Sequence, residues 1–167
     1  MKRIGILSDT HGALPASLTD FFKDVDEIWH AGDIGSIDVA TRLQAFKPLR
    51  AVYGNIDGTV VRQSFPENHI FICEQMKVLM THIGGYPGKY DPLARALIAS
   101  EKPDIFICGH SHILKVIYDQ KYKLLHINPG AAGNSGLHRQ ITMVRCVIDL
   151  DRIRDLEIYD LLRANAM

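Results

Sequence analysis

Short apolar runs that stop at a small or polar residue and a potential ligand recur along this chain, and no other feature limits its fold as strongly. "RIGILSD" ends at Asp9 with His11 just beyond, "DEIWHAGD" ends at Asp33, "LRAVYGN" at Asn55, "KVLMTH" at His82, and "DIFICGH" at His110 with His112 following. Aliphatic and β-branched runs bounded by Gly, Asp or Asn predict buried strands. Segments of helical period separate them. "LPASLTDFFKD" aligns Leu14, Leu18, Phe21 and Phe22 with Pro15 near its start; "IDVATRLQAF" repeats Ile37, Ala40, Leu43 and Phe46 behind Ser36 as cap; Asp91 and Pro92 open a third with Leu93, Leu97 and Ile98. "HIFICEQMKVLMTH" predicts a hairpin turning near Glu74 and Gln75. "LKVIYDQ", "KLLHINPG", "QITMVRCVIDL" and "IRDLEIYDL" then read as strands, the last two paired around Asp149 to Arg152. Strand-helix alternation followed by strand-rich sequence predicts a layered α/β protein with a mixed sheet or two packed sheets.

Composition narrows the partners. The chain has 167 residues, the size of one domain, with no repeat or linker, so a single domain over 1–167 is expected. Lys+Arg and Asp+Glu both total 19, so no net charge favours nucleic acid or an anionic membrane. The N-terminal apolar run breaks at Ser8 and Asp9, too early for a signal peptide, and no apolar stretch is long enough to span a bilayer. Cys73, Cys108 and Cys146 lack CxxC spacing and read as reduced, buried thiols. A cytoplasmic protein is expected.

The turns after the strands carry the chemistry. Turns of this kind gather at the carboxyl edge of an α/β sheet, where ligands bind. Asp9, His11, Asp33, Asn55, His82, His110 and His112 together exceed the needs of one four-coordinate zinc. They suit two divalent ions roughly 3.5–4 Å apart sharing a carboxylate. Imidazole mixed with carboxylate and amide oxygen favours Mn, Fe, Zn, Co or Ni over Mg alone or Ca.

"DTH", "GD", "GN", "TH" and "GHSH", in that order along the whole chain, resemble the calcineurin-like metallophosphoesterase family, and the length without a cap domain is similar to its small prokaryotic phosphodiesterases. The resemblance implies a four-layer α-β-β-α sandwich with mixed sheets and a di-metal site at the carboxyl ends of the strands. It implies that Asp9, His11 and His112 hold one metal, that Asn55, His82 and His110 hold the other, and that Asp33 bridges both. Asp33, Asn55 and His110 then carry the catalytic assignments, with two divalent ions, Mn2+ foremost, and Ni2+, Zn2+, Fe2+ or Co2+ as alternatives. The implied reaction is in-line attack on a small phosphodiester or nucleotide-like substrate by water acidified between the metals. A homo-oligomer is compatible with the resemblance, though no residue pattern here argues for it.

Two departures qualify the match. Many relatives place a histidine, a general acid, directly after the "GN" asparagine, where this chain has Ile56. That loss weakens a phosphomonoesterase reading, since proton donation is worth roughly 10²–10⁴-fold. Many also place a further metal-binding histidine after "TH", where this chain reads Ile83, Gly84 and Gly85. Asp57, Lys89 and His138 are candidate substrate contacts, with a turn residue and solvated loops as the plainer readings; His30, His69 and His126 read as structural. A non-catalytic metal-binding scaffold of the same fold is the alternative from another class.

Overall fold

The structure is a computed structural model that describes residues 1–163. Its frame is two five-stranded mixed sheets. The first is built on three parallel strands, β1 (Lys2–Leu7), β2 (Glu27–His30) and β3 (Leu49–Ala51). The connection from β1 to β2 contains α1 (Leu18–Phe21), and α2 (Ile37–Phe46) joins β2 to β3. After β3 come α3 (Thr59–Ser64) and then the antiparallel pair β4 (Asn68–Cys73) and β5 (Met76–Thr81), which opens the second sheet. A short hairpin, β6 (Gly85–Tyr86) and β7 (Lys89–Tyr90), precedes α4 (Pro92–Glu101).

The second sheet continues with β8 (Ile105–Ile107), β9 (Leu114–Asp119) and β10 (Leu124–Pro129), in the order β4-β5-β8-β10-β9, with β5, β8 and β10 parallel. The chain then returns to the first sheet as β11 (Gln140–Asp149) and β12 (Arg152–Leu162), giving the order β12-β11-β1-β2-β3. β1 is therefore central, and its side chains are buried from Ile4 to Leu7.

Three apolar layers hold this together. Ile4, Ile6, Trp29, Val78, Met80, Ile107, Ile127 and Val144 fill the space between the sheets. Leu7, Phe22, Ile28, Val39, Leu43 and Val61 pack the first sheet against α1, α2 and α3, while Leu79, Ala94, Ile98 and Phe106 pack the second against α4. The result is the four-layer α-β-β-α sandwich. Side chains alternating across a strand can serve two layers at once, so β1 sends Ile4 and Ile6 inward and Leu7 toward the helices.

Capping accounts for the two long helices. Ser36 accepts from the Val39 N–H, and Asp91 accepts from Leu93 and Ala94 with Pro92 in the first turn. The helix expected over "LPASLTDFFKD" shrinks to Leu18–Phe21. Leu14 precedes Pro15, a position biased toward extended backbone, and Ser17 makes no side-chain cap, so residues 14–17 stay outside the helix. α3 was not visible in the periodicity, being six residues with β-branched Thr59, Val60 and Val61 at its start. The segment that carries Lys89 forms the β6–β7 hairpin and buries Tyr90, whose hydroxyl donates to Asp119 Oδ2 at 2.7 Å.

Candidate metal centre

Five turns leave the carboxyl ends of β1, β2, β3, β5 and β8, and the backbone sews several of them to one another. Asp9 N donates to Gly32 O, Gly109 N donates to His82 O, Ala132 N donates to Ser8 O, and Gly133 N donates to Asp9 O, all at 2.9–3.1 Å. The chain turns sharply in each. Asp9, His11, Asp33, His110 and His112 all have positive φ, between 48° and 70°, and they are half of the ten non-glycine residues in that region among those described. Such conformations cost on the order of 1–3 kcal/mol each and persist where surrounding contacts over-determine them.

The side chains form two groups of candidate ligands. Asp9, His11 and His112 bring one ligand atom each within 4.8 Å of the others, and so do Asp33, His82 and His110. Asn55 joins the second group, its Oδ1 lying 3.0 Å from His110 Nδ1. Asp33 stands between the groups: Oδ2 is 3.4 Å from His11 Nε2 and 3.2 Å from His82 Nε2. Asp9 Oδ1 faces His112 Nε2 at 3.2 Å, His11 Nε2 at 3.7 Å and His82 Nε2 at 3.8 Å.

These contacts fit a cation better than they fit each other. Asp9 Oδ1, His11 Nε2 and His82 Nε2 are buried without a hydrogen-bond partner. His82 Nδ1 lies 2.8 Å from the Ala31 carbonyl, which can only accept, so Nδ1 carries the proton and Nε2 presents its lone pair to Asp33. A lone pair facing a carboxylate is repulsive unless positive charge lies between them. The electrostatics agree. Burial would raise the Asp9 carboxyl, but the nearness of His112 and the positive charge that His82 can carry take it below the usual range. Burial opposes the charged form of Asp33 too, and the nearness of the His82 imidazole outweighs it; His82, for its part, is raised against the pull of burial by Asp33 and Asp9. Carboxylates and imidazoles here hold positive charge in common, which a divalent ion supplies without a proton.

Surrounding residues fix the donors. Ser8 Oγ donates to Asp9 Oδ2 at 2.7 Å, as does His110 N at 3.1 Å, leaving Oδ1 free to face the imidazoles. Ile56 N donates to Asp33 Oδ1 at 3.1 Å, so the residue after Asn55 contributes through its backbone. A Cβ at Gly54 would overlap Asp33 Oδ1, so only glycine lets the third turn approach the second this closely. Buried His30 is satisfied through the Gly32 N–H, at 3.1 Å from Nδ1, and Thr10 Oγ1, 3.0 Å from Nε2. Burial lowers it to about 4, so it stays neutral as a brace.

The other candidates separate clearly. Asp57 is buried, and its carboxylate accepts from Ile34 N (3.1 Å), Gly35 N (2.8 Å) and Gly54 N (2.8 Å), clamping the second turn to the third. Lys89 is exposed on β7 and makes no hydrogen bond or ion pair with the cluster among the described residues. His138 meets the cluster through His112, Nδ1 to Nδ1 at 3.1 Å. His126 lies against Tyr90 and Phe106, with neither ring nitrogen partnered.

Two further positions lie outside the candidates that the strand-end pattern offers. Arg62 of α3 donates to the Asp57 carbonyl at 2.6 Å and the Asn55 carbonyl at 3.2 Å, with its guanidinium over the Tyr53 ring. Asn128 donates to Gly109 O and Ser111 Oγ, both at 3.0 Å, and steadies the "GHSH" turn. The shortness of α3 hides Arg62 from the periodicity; an asparagine closing the apolar run of "KLLHINPG" is the sequence signal for Asn128. Beside Asn55 and His82 a cavity of about 740 Å³ opens, lined by Arg62, Ile83, Leu93 and Leu97 among others.

Two stacked mixed sheets that gather carboxylates, imidazoles and an amide at the carboxyl ends of parallel strands define a protein with a candidate two-metal centre. Comparison makes this specific: residues 1–151 match the calcineurin-like phosphoesterase superfamily domain, and the chain belongs to that family. It is 32% identical over 135 residues to a probable metallophosphoesterase of Methanothermobacter thermautotrophicus, covering 77% of this chain and 76% of the relative. A phosphodiesterase of Methanocaldococcus jannaschii is 28% identical over 144 residues, covering 77% of this chain and 82% of that protein. Among solved structures, Vps29 of Entamoeba histolytica complexed with zinc superposes with a TM-score of 0.75 at 16% identity, over 96% of this chain and 99% of that one, a likeness of fold alone. No helix among the described residues is long and apolar enough to cross a membrane.

Proposed function

We propose that the protein is a di-metal phosphodiesterase acting on a small phosphodiester or nucleotide-like substrate, with Mn2+ or another borderline divalent metal. The observation that carries this is the place of Asp33, one of whose oxygens faces an imidazole from each ligand group. In this reading Asp9, His11 and His112 hold one ion, Asn55, His82 and His110 hold the other, and Asp33 is shared. The ions, when bound, acidify water and neutralise charge on the phosphoryl oxygens.

The chain's own residues do the positioning. Asp33 is held by the Ile56 N–H, and His82 by the Ala31 carbonyl, so neither donor has to reorganise during the reaction. Arg62 places a fixed positive charge beside Asn55 in the lining of the cavity, where it would attract an anionic substrate. The Ile56 side chain, 47% exposed, offers no proton to a leaving group. That disfavours phosphomonoesters with poor leaving groups. The cavity of about 740 Å³ has room for the second ester substituent that a diester carries and a monoester lacks.

The test is hydrolysis of bis-p-nitrophenyl phosphate beside p-nitrophenyl phosphate, using chelator-stripped protein before and after adding Mn2+, Ni2+ or Zn2+. Metal-restored turnover favouring the diester is expected; turnover favouring the monoester would overturn the diester assignment. A second reading, a metal-binding scaffold, draws on Ile113 (62% exposed) and Leu137 (fully exposed), which line a second cavity beside His110 and His112. Folded, metal-loaded protein inert toward both esters would favour it.

A further inference from the structure

His112 differs from His82 in what supports its second ring nitrogen. His82 rests on a backbone carbonyl, whereas His112 Nδ1 meets another imidazole, His138 Nδ1, at 3.1 Å. Two imidazole nitrogens at that distance share one proton, and its owner decides whether His112 can ligate. His138 Nε2 lies 2.7 Å from the Gly133 carbonyl, which can only accept, so the His138 proton is on Nε2 and its Nδ1 is an acceptor. His112 must then carry its own proton on Nδ1, leaving the Nε2 lone pair facing Asp9 Oδ1 at 3.2 Å.

The relay closes on itself. Gly133, whose carbonyl sets the His138 tautomer, donates its own N–H to the Asp9 carbonyl at 3.1 Å. Asp9 is thus tied to both ends of the path, by backbone through Gly133 and by side chain facing His112. The loop is shaped around the imidazole pair. Gly136, at φ +123°, would put a Cβ 2.7 Å from the His112 ring and 3.3 Å from His138 Nδ1. Arg163 Nη1 donates to the Gly136 carbonyl at 2.6 Å and the His138 carbonyl at 3.2 Å, pinning the loop from β12's end. The rings meet nearly edge to face, with centroids 4.9 Å apart and planes at 76°, an orientation that points nitrogen at nitrogen.

We propose that His138 is a positioning residue that sets the tautomer and direction of His112 and so tunes the affinity of the ion held with Asp9 and His11. It acts through His112, not on the substrate. The inference rests on the di-metal reading above, and its test separates the two.

Metal binding is measured by calorimetry and by Co2+ absorption spectra on chelator-stripped wild type, His138→Ala, His138→Asn and His138→Lys, each checked for folding by thermal melting. His138→Ala is expected to weaken one of two binding events by about 10- to 100-fold and to change its Co2+ spectrum, sparing the other event. Asn keeps an oxygen that can accept from His112 and should recover much of the loss. Lys, a donor only, should not. Unchanged affinities and spectra in His138→Ala would overturn the inference while leaving the di-metal reading intact. Equal behaviour of Asn and Lys would also overturn it, because loop disruption and not acceptor chemistry would then be responsible. If His138→Ala does not fold, the Asn–Lys pair decides. Wild type that binds no ion would remove the di-metal reading and this inference together.

Discussion

Replacing Asp57 with alanine tests whether the second and third ligand turns are clamped by that carboxylate. Asp57 touches neither ligand group, yet it accepts from Ile34 N, Gly35 N and Gly54 N at 2.8–3.1 Å, two of these bonds being fully buried. Hydrogen bonds to a charged group contribute roughly 1.5–3 kcal/mol, and a buried N–H left without an acceptor costs about 1–3 kcal/mol. Water can reach the partly buried Gly35 N–H, so the loss is dominated by the other two and comes to about 3–5 kcal/mol. Asp57→Asn can keep an oxygen in the Oδ2 place, which accepts both buried N–H groups, and should lose less than half as much. Against a total stability of about 5–15 kcal/mol these are large effects. Urea unfolding in excess chelator, so that metal binding adds nothing to the folded state, gives the difference directly from the midpoint and slope. A loss below about 1 kcal/mol for Asp57→Ala would refute the clamp. Wild-type stability combined with a raised KM would return Asp57 to the role of a substrate contact.

Asp33→Asn removes the shared carboxylate charge; turnover of bis-p-nitrophenyl phosphate should fall at least 100-fold and titrations should show weaker metal binding, whereas a wild-type rate would contradict a bridging role. Gly54→Ala should act the same way from a neighbouring position, since its Cβ would overlap Asp33 Oδ1; metal titration of the folded variant is expected to show affinity lowered by about tenfold or more. His126 is buried between Tyr90 and Phe106, with the Lys115 charge adding to burial and Asp119 opposing it, and is lowered to about 4. An unfolded histidine near 6.5 takes up its proton first, so wild type loses stability as pH falls from about 6.5 to about 4. His126→Leu should remove that component, on the order of 3 kcal/mol, and urea midpoints of the two proteins that decline in parallel below pH 6.5 would refute it.

Much of the fold could be read in advance because its signals are local. Buried strands such as Ile4–Leu7 and Ile105–Ile107 are apolar on both faces, and Ser36 and Asp91 cap their helices with their own side chains. The failures have tertiary causes. The segment before Leu18 has helical period, but it leaves a turn pinned to the second strand's end through the His11 and Gly12 N–H groups and stays irregular up to Ser17. α3 is too short for its period to stand out, and so Arg62 went unnoticed beside Asn55.

The seven candidate ligands could be listed from the sequence as an ordered set, because each follows an apolar strand pattern by at most a few residues and so falls near the sheet's edge. Their order along the chain also carried the family, which the match over residues 1–151 establishes. Only the folded chain decided how they face one another: that Asp33 lies between imidazoles of both groups, that Asp57 holds backbone and not a ligand atom, and that His138 reaches His112 from 26 residues away. These are matters of distance across turns from different strands. Sequence determines which donors each turn carries, but lone-pair direction depends on neighbours that meet only after two sheets have stacked.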